Sequence, residues 1–355
     1  MNHLELFAGI GGFRQALSLL GKDFDIPQTT VAFSEIDESA VKSYKSIFHT
    51  ENEIEMGDIV AFNHNIDNIK SLPNIDLLTG GFPCQAFSMM GKQKGFDDMR
   101  GNVFFQILEI LKIKKPKYVL LENVRNLISH NKGQTFNFIL DSLRDCGYQN
   151  LYFDIFNTED FGLAQKRNRV FIFATREKIE GIDFTSKNIK KIFAQVIKST
   201  SLLYQESTHD VLEKKVSDKF YLSETIKPTI LSNGTKTYRS KSEINPIIAK
   251  PLTATMVKMH RACQDNYFSD GYIESENPVE YLKTIYTKEE LCKQRIRKIT
   301  PREAFLLQGF PASSFERAEA SGVSNAQLYK QAGNAVSVNT VYAIMYYLFV
   351  LLNLR

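Results

Sequence analysis

Residues 4–20, LELFAGIGGFRQALSLL, read as a strand, a glycine-rich turn and a helix in immediate succession. Residues 4–7 form a short apolar run. Phe13, Ala16, Leu17 and Leu20 then recur at the i, i+3, i+4, i+7 spacing that lays one apolar stripe along a helix. Between them, Gly9, Gly11 and Gly12 let the backbone approach a nucleotide-like ligand closely. The dinucleotide pattern GxGxxG fails because Arg14 stands at its last glycine position. A pyrophosphate is thereby disfavoured, whereas an adenosyl ligand without phosphate remains compatible. A tight turn that binds nothing is the competing reading of this segment alone.

The alternation continues outward. Strand candidates fall at residues 30–34, 75–79, 118–122 and 169–174, with helical stripes at Phe104/Ile107/Leu108/Leu111 and Phe136/Ile139/Leu140/Leu143. Gly21 and Gly147 are expected to stop helices. Strand and helix in this order predict an α/β fold with a mainly parallel sheet, helices on both faces and ligands beyond the carboxyl ends of the strands.

Candidate functional residues should therefore follow each strand. The second strand ends at Ser34-Glu35-Ile36-Asp37, 26 residues beyond Gly9, where a carboxylate suits a ribose diol or, equally, a helix N-terminus. Asp58, in Gly57-Asp58-Ile59, could accept from an adenine amine. The fourth strand leads into Gly80-Gly81-Phe82-Pro83-Cys84-Gln85-Ala86-Phe87-Ser88. Cys146, Cys263 and Cys292 are read as structural, but Cys84 sits where the crevice should open; as a nucleophile it requires activation. Residues 91–102, with Lys92, Lys94 and Arg100, have the composition of a lid over a phosphate-bearing substrate. Glu122 ends the fifth strand. Gln165, Arg167 and Arg169 would share one face of an extended segment, either as a substrate clamp or as an ordinary strand edge.

Composition narrows the class. The 355 residues, 43% apolar and 24% charged, exclude a disordered or fibrous chain and suggest two domains or one large one. Four cysteines without a CxxC pair argue against zinc or a disulfide framework, so no metal and a cytoplasmic location are expected. No signal peptide is expected either, and the apolar stretch 341–352 is too short to span a bilayer and reads as a buried terminal helix. The overall charge of +4 is uninformative, but residues 227–298 alone carry 13 basic and 8 acidic side chains. Within 236–261 the ratio is six to one, interleaved with Tyr238, Ser240, Thr253 and Thr255, with Asn233 just before. That stretch is either a solvated face or a nucleic-acid surface.

Taken in order, FAGIGG, SEID, GD, GGFPCQAFS, ENV, QKRNR, RKITPRE (297–303) and GNAV (333–336) resemble the C5-cytosine DNA methyltransferase family of prokaryotic restriction–modification systems. The resemblance spans most of the chain and leaves uncovered the basic middle segment, which in this family is the variable target-recognition region. It implies a Rossmann-like S-adenosylmethionine-dependent methyltransferase sheet with a second, smaller, irregular β-rich domain. Residues 1–180 would be catalytic, 181–325 would recognise DNA, and 326–355 would return as a helix to the catalytic domain.

By the same resemblance, Cys84, Glu122, Arg167 and Arg169 are the catalytic set. Cys84 would add to C6 of an extruded cytosine, Glu122 would bond N3 and the exocyclic amine, Arg169 would meet the base carbonyl, and Arg167 would support the loop or a phosphate. Phe7, Ala8, Gly9, Gly11, Gly12, Glu35, Ile36, Asp58, Ile59, Gly80, Pro83, Val103, Asn334 and Ala335 would surround S-adenosylmethionine, which leaves as S-adenosylhomocysteine. Ile36 departs from the aromatic residue that many members place against the adenine. Gln85, Ser88, Lys92, Lys94, Arg100, Gln165, Lys236, Arg239, Lys241, Lys258 and Arg261 would contact double-stranded DNA. The protein is expected to act as a monomer, with any partner endonuclease encoded separately. A tRNA cytosine-5 methyltransferase of the same fold, a nicotinamide-dependent oxidoreductase and a catalytically silent DNA-binding module are the rival readings.

Overall fold

A computed structural model describes residues 1–83, 103–234, 237, 239, 241–256 and 262–354. Seven strands form one sheet: β1 (Asn2–Leu6), β2 (Thr29–Ser34), β3 (Ile54–Glu55), β4 (Leu77–Gly81), β5 (Tyr118–Val124), β6 (Asn150–Asn157) and β7 (Asn168–Thr175). Their order is β3-β2-β1-β4-β5-β7-β6. β1 to β5 pair in parallel, and β7 inserts antiparallel between β5 and β6. This is the expected α/β Rossmann-like arrangement, with apolar clusters packed against the sheet.

Every strand expected from the sequence is present. β6 was not anticipated, because Asn150 and Asp154 share their face with Tyr152 and Phe156, so that face is only half polar and the period-2 alternation is blurred. Helix α1 (Gly12–Phe24) corrects one expectation: it runs through Gly21 and ends at Asp25, which takes the left-handed φ of 51°. A Cβ at Gly21 would lie 2.9 Å from the Ile26 carbonyl, so this glycine makes room for the returning chain instead of ending the helix. Gly147, at φ 92°, does follow the helix Gln134–Asp145 as expected.

The carboxyl half is less regular. Among the described residues its only sheet is the antiparallel pair β8 (Tyr267–Ser269) and β9 (Ile296–Lys298). Arg297 on β9 forms a bidentate pair with Glu303 on the helix Pro301–Leu307, at 2.9 and 2.7 Å, with both side chains wholly buried. Burial pushes the Glu303 carboxyl upward and Arg297 opposes it. The stretch Asn325–Leu351 is apolar and long enough to cross a membrane, yet 83% of its most apolar window is buried inside the fold.

Candidate active site

A cleft of about 630 Å³ opens at the carboxyl ends of β1, β2, β4 and β5. The chain leaves β1 at Phe7 in the left-handed region, φ 54°, which costs a bulky residue on the order of 1–2 kcal/mol. Gly80 packs beneath it: a Cβ there would stand 3.2 Å from the Leu6 carbonyl and 3.5 Å from the Phe7 ring. Gly9 follows at φ 55°, and a Cβ built on it meets nothing within 4 Å, so the backbone faces open space.

Glu35 fastens this turn to the next one. Its Oε2 accepts from Gly9 N at 2.8 Å, and its Oε1 accepts from Ile36 N and Asp37 N, each at 2.8 Å. Asp37 caps helix α2 (Glu38–Ile47) through Ser39 N and Ala40 N. It also pairs with Lys330 Nζ at 2.5 Å, on the helix Asn325–Asn334 that leads into the 333–336 turn. Partial burial pushes the Asp37 carboxyl up, but Lys330 and the two amides outweigh it and hold the group below its ordinary value.

On the other side, Glu122 Oε1 receives Arg169 Nε at 2.9 Å. Burial raises the Glu122 carboxyl, against the pull of Arg169 and Arg167. A carboxyl so placed can keep a proton to donate while a guanidinium stands ready to stabilise developing negative charge. Asn123 Nδ2 donates to the Phe82 carbonyl at 2.7 Å and so pins the chain two residues before Cys84.

Of the residues expected around a cofactor, Phe7, Ala8, Gly9, Glu35, Ile36, Pro83, Asn334 and Ala335 line this cleft, together with Glu122, Arg167 and Arg169. Asp58 caps helix α3 (Ile59–Asn63) and borders an adjoining groove with Glu35 and Ile36. Five other residues expected there are not part of this lining. Gly11 faces Phe48 and Tyr44, Gly12 faces Val336, and Gly80 faces the underside of Phe7, each too closely for a side chain. Ile59 is buried in the core, and Val103 packs against the same cluster at the start of the helix Val103–Lys114.

The clamp on one extended face is also corrected. β7 begins only at Asn168, and Gln165 instead bridges Ala249. Gln165 is fully buried, donating to Leu307 O at 2.9 Å and accepting from Leu252 N at 3.0 Å, so it cannot reach DNA. Arg167 gives Nη1 to Leu252 O at 2.8 Å and Nη2 to Gly333 O and Ala335 O at 3.1 and 2.9 Å. It therefore braces the loops that form the cleft, the first of the two roles expected of it.

Arg239 and Lys241 are exposed, and Lys241 pairs with Glu243. Cys84, Gln85, Ser88, Lys92, Lys94, Arg100, Lys236, Lys258 and Arg261 lie outside the described residues. Sequence reasoning missed Asn123 and Lys330. Asn123 stood beside Glu122 in the quoted ENV motif, but nothing in the sequence distinguished Lys330 from other helix lysines.

The family model described as C-5 cytosine-specific DNA methylase matches residues 1–349. The type II methyltransferase M1.ScrFI of Lactococcus lactis subsp. cremoris is 36% identical over 348 residues, covering 96% of this chain and 76% of its own. The type II methyltransferase M.SsoII of Shigella sonnei is 35% identical over 352 residues, covering 96% and 78%. Among solved structures, the Entamoeba histolytica methyltransferase EhMeth superposes with a TM-score of 0.73 at 21% identity, covering 99% of this chain and 98% of that one. The Dnmt2 methyltransferase of S. pombe gives 0.72 at 21% identity, covering 100% and 99%. At that identity these two structures speak to the fold.

Proposed function

The chain belongs to the C-5 cytosine-specific DNA methylase family and is a cytosine-5 methyltransferase of the restriction–modification type, and from that premise we propose how its own residues perform the reaction. S-adenosylmethionine, held in the cleft, would supply an electrophilic methyl group on a sulfonium. The fit of that molecule rests on the open backbone at Gly9, the aromatic face of Phe7 and the Glu35 carboxylate, all on one wall.

Cytosine C5 is a weak nucleophile until a group adds at C6. Cys84 follows Pro83 at the cleft wall, and its thiolate bonds to C6 while the ring electrons move toward N3. Glu122 donates to N3 and accepts from the exocyclic amine, and Arg169, held against it, faces the base carbonyl. C5 then takes the methyl group, a base removes the C5 proton, and elimination at C6 returns the thiolate to Cys84. The target base must leave the helix for this chemistry, at a cost of a few kcal/mol. Arg239 and Lys241, with the basic residues around them, would offset that cost through phosphate contacts in a specific duplex sequence.

The observation that carries this reading is the Glu122–Arg169 pair in the same cleft as Gly9 and Glu35. The family match sets the nicotinamide reading aside, and the buried acid–guanidinium pair in the cleft is a feature that a silent binding module has no need of. Duplex DNA is favoured over tRNA because the relatives at 35–36% identity are named type II methyltransferases.

Bisulfite sequencing of plasmid from an expressing host should show one methylated sequence, and labelled methyl groups should enter duplex DNA and leave tRNA blank. Incorporation into tRNA alone would replace the duplex reading. Cys84→Ala should abolish turnover while S-adenosylmethionine affinity stays within about twofold, since the thiol acts on the base. Methylation by that variant would defeat the covalent mechanism.

A further inference from the structure

The stretch from Ala249 to Leu252 is held from two sides. Its backbone is fastened to the segment that precedes β7. Ala249 N donates to Ala164 O at 2.7 Å, and Lys166 N donates to Ala249 O at 2.9 Å. Leu252 N donates to Gln165 Oε1 at 3.0 Å, and Leu252 O accepts from Arg167 at 2.8 Å. Two residues after Arg167 comes Arg169, paired with Glu122 in the cleft.

The Lys250 side chain serves the opposite side. Its Nζ donates to the Glu243 carbonyl at 2.9 Å, to the Ala262 carbonyl, and to the Asp265 carbonyl at 3.4 Å. The Lys250 backbone meanwhile pairs with the Asn266 amide, giving its N–H at 2.8 Å and accepting at 3.1 Å. Glu243 N also donates to Ala262 O at 3.4 Å, closing the base of the stretch between them.

An ammonium carries three donors in a tetrahedral array and no acceptor. Lysine usually spends them on water at the surface. Here they converge on three carbonyls from separate points of the chain, and burial lowers the Lys250 pKa against the opposing pull of Glu243, Cys263 and Asp265. A planar guanidinium cannot reproduce that convergence, because its donors lie in one plane. Arg239 and Lys241, exposed, stand immediately before the anchored Glu243.

We propose that Lys250 is a positioning residue that sets the DNA-reading segment against the strand bearing Arg169, so that discrimination between DNA sequences depends on it. The inference rests on the reading above, in which the basic middle segment contacts duplex DNA. It adds that the segment's register relative to the chemistry is held by one ammonium.

The test compares the full chain with its Lys250→Met variant on two duplexes: the sequence the native protein methylates, and the same duplex with one base pair changed. KM for the first duplex should rise about tenfold and the preference over the second should narrow about tenfold, the scale of one lost base contact. The kcat at saturating DNA, and S-adenosylmethionine affinity measured without DNA, should stay within about twofold. Lys250→Arg keeps the charge but not the convergence and should fall between native and Met. Native discrimination in the Met variant would overturn the proposal. Parallel loss of S-adenosylmethionine affinity would also overturn it, by making Lys250 a general scaffold element. Absence of duplex methylation by the native protein would instead overturn the underlying reading, and it would be seen before any substitution.

Discussion

The cleft and the middle segment of this chain are built by different means. In the cleft, Phe7, Glu35 and Glu122 arrive at the ends of β1, β2 and β5, so the sheet's parallel hydrogen bonding places them. In the middle segment, sheet structure among the described residues is limited to β8 and β9, and position is set by single polar side chains. Lys250 collects carbonyls, Gln165 holds Leu252 from outside the segment, and Arg297 binds Glu303 in the interior. A region held by a sheet tolerates losing one polar group, because the backbone ladder remains. A region held by isolated staples does not.

That contrast is broken or sharpened most forcefully at Glu303. Glu303→Ala leaves Arg297 charged and unpaired where neither side chain reaches solvent, and should destabilise the protein by about 3–5 kcal/mol. Thermal or urea unfolding measures it, and a loss under about 1 kcal/mol would mean that the junction relaxes as easily as the surface. Glu122→Gln probes the other side. Turnover should fall about 10²–10³-fold, the scale of one transition-state donor, while stability changes by less than about 1 kcal/mol because Arg169 remains partly open to the cleft. A variant that instead lost stability and kept its rate would make the Glu122–Arg169 pair a structural staple like that of Arg297.

The same difference decides what the sequence alone could reveal. The strands of the parallel sheet announce themselves by period and turn residues, and the residues after them fall in the cleft as expected. That Gly11 and Gly12 are also needed for packing is not legible, because a glycine needed for packing and a glycine needed for a ligand look alike in sequence; the crowding by Phe48 and Val336 appears only in the fold. The shared face of Gln165 and Arg167 was misread because period 2 was extended beyond the strand's true start at Asn168, although Arg167 does take the loop-supporting one of its two expected roles. Their partners, Leu252, Leu307 and Gly333, are remote in the chain, and no local pattern encodes such a meeting. The roles of Lys250 and Lys330 are hidden for the same reason.

The smallest expected effect lies inside the sheet itself. His3 on β1 is fully buried, its ring nitrogens 3.1 and 2.8 Å from the hydroxyls of Thr30 and Thr79 on the flanking strands. Burial, with the Arg14 charge nearby, lowers its pKa to about 3. An unfolded chain would bind that proton near pH 6.5, so between pH 6.5 and 3 the unfolded state holds more protons than the folded one. Stability from this group is therefore complete above pH 6.5 and is lost as the pH falls, by at most about 1.4 kcal/mol per pH unit. Glu5, two residues along the same strand, runs the other way: burial raises it to about 7, so ionising it as the pH rises from 4.5 to 7 costs stability. The two slopes oppose each other between pH 4.5 and 6.5, so the native protein should show a shallow dependence there. His3→Gln removes one of them. Urea unfolding of that variant should show stability rising as the pH drops from 6.5 to 4.5, relative to native. Parallel curves for the two proteins would mean that His3 takes up its proton within the fold, and that the sheet accommodates charge as readily as the Arg297–Glu303 junction.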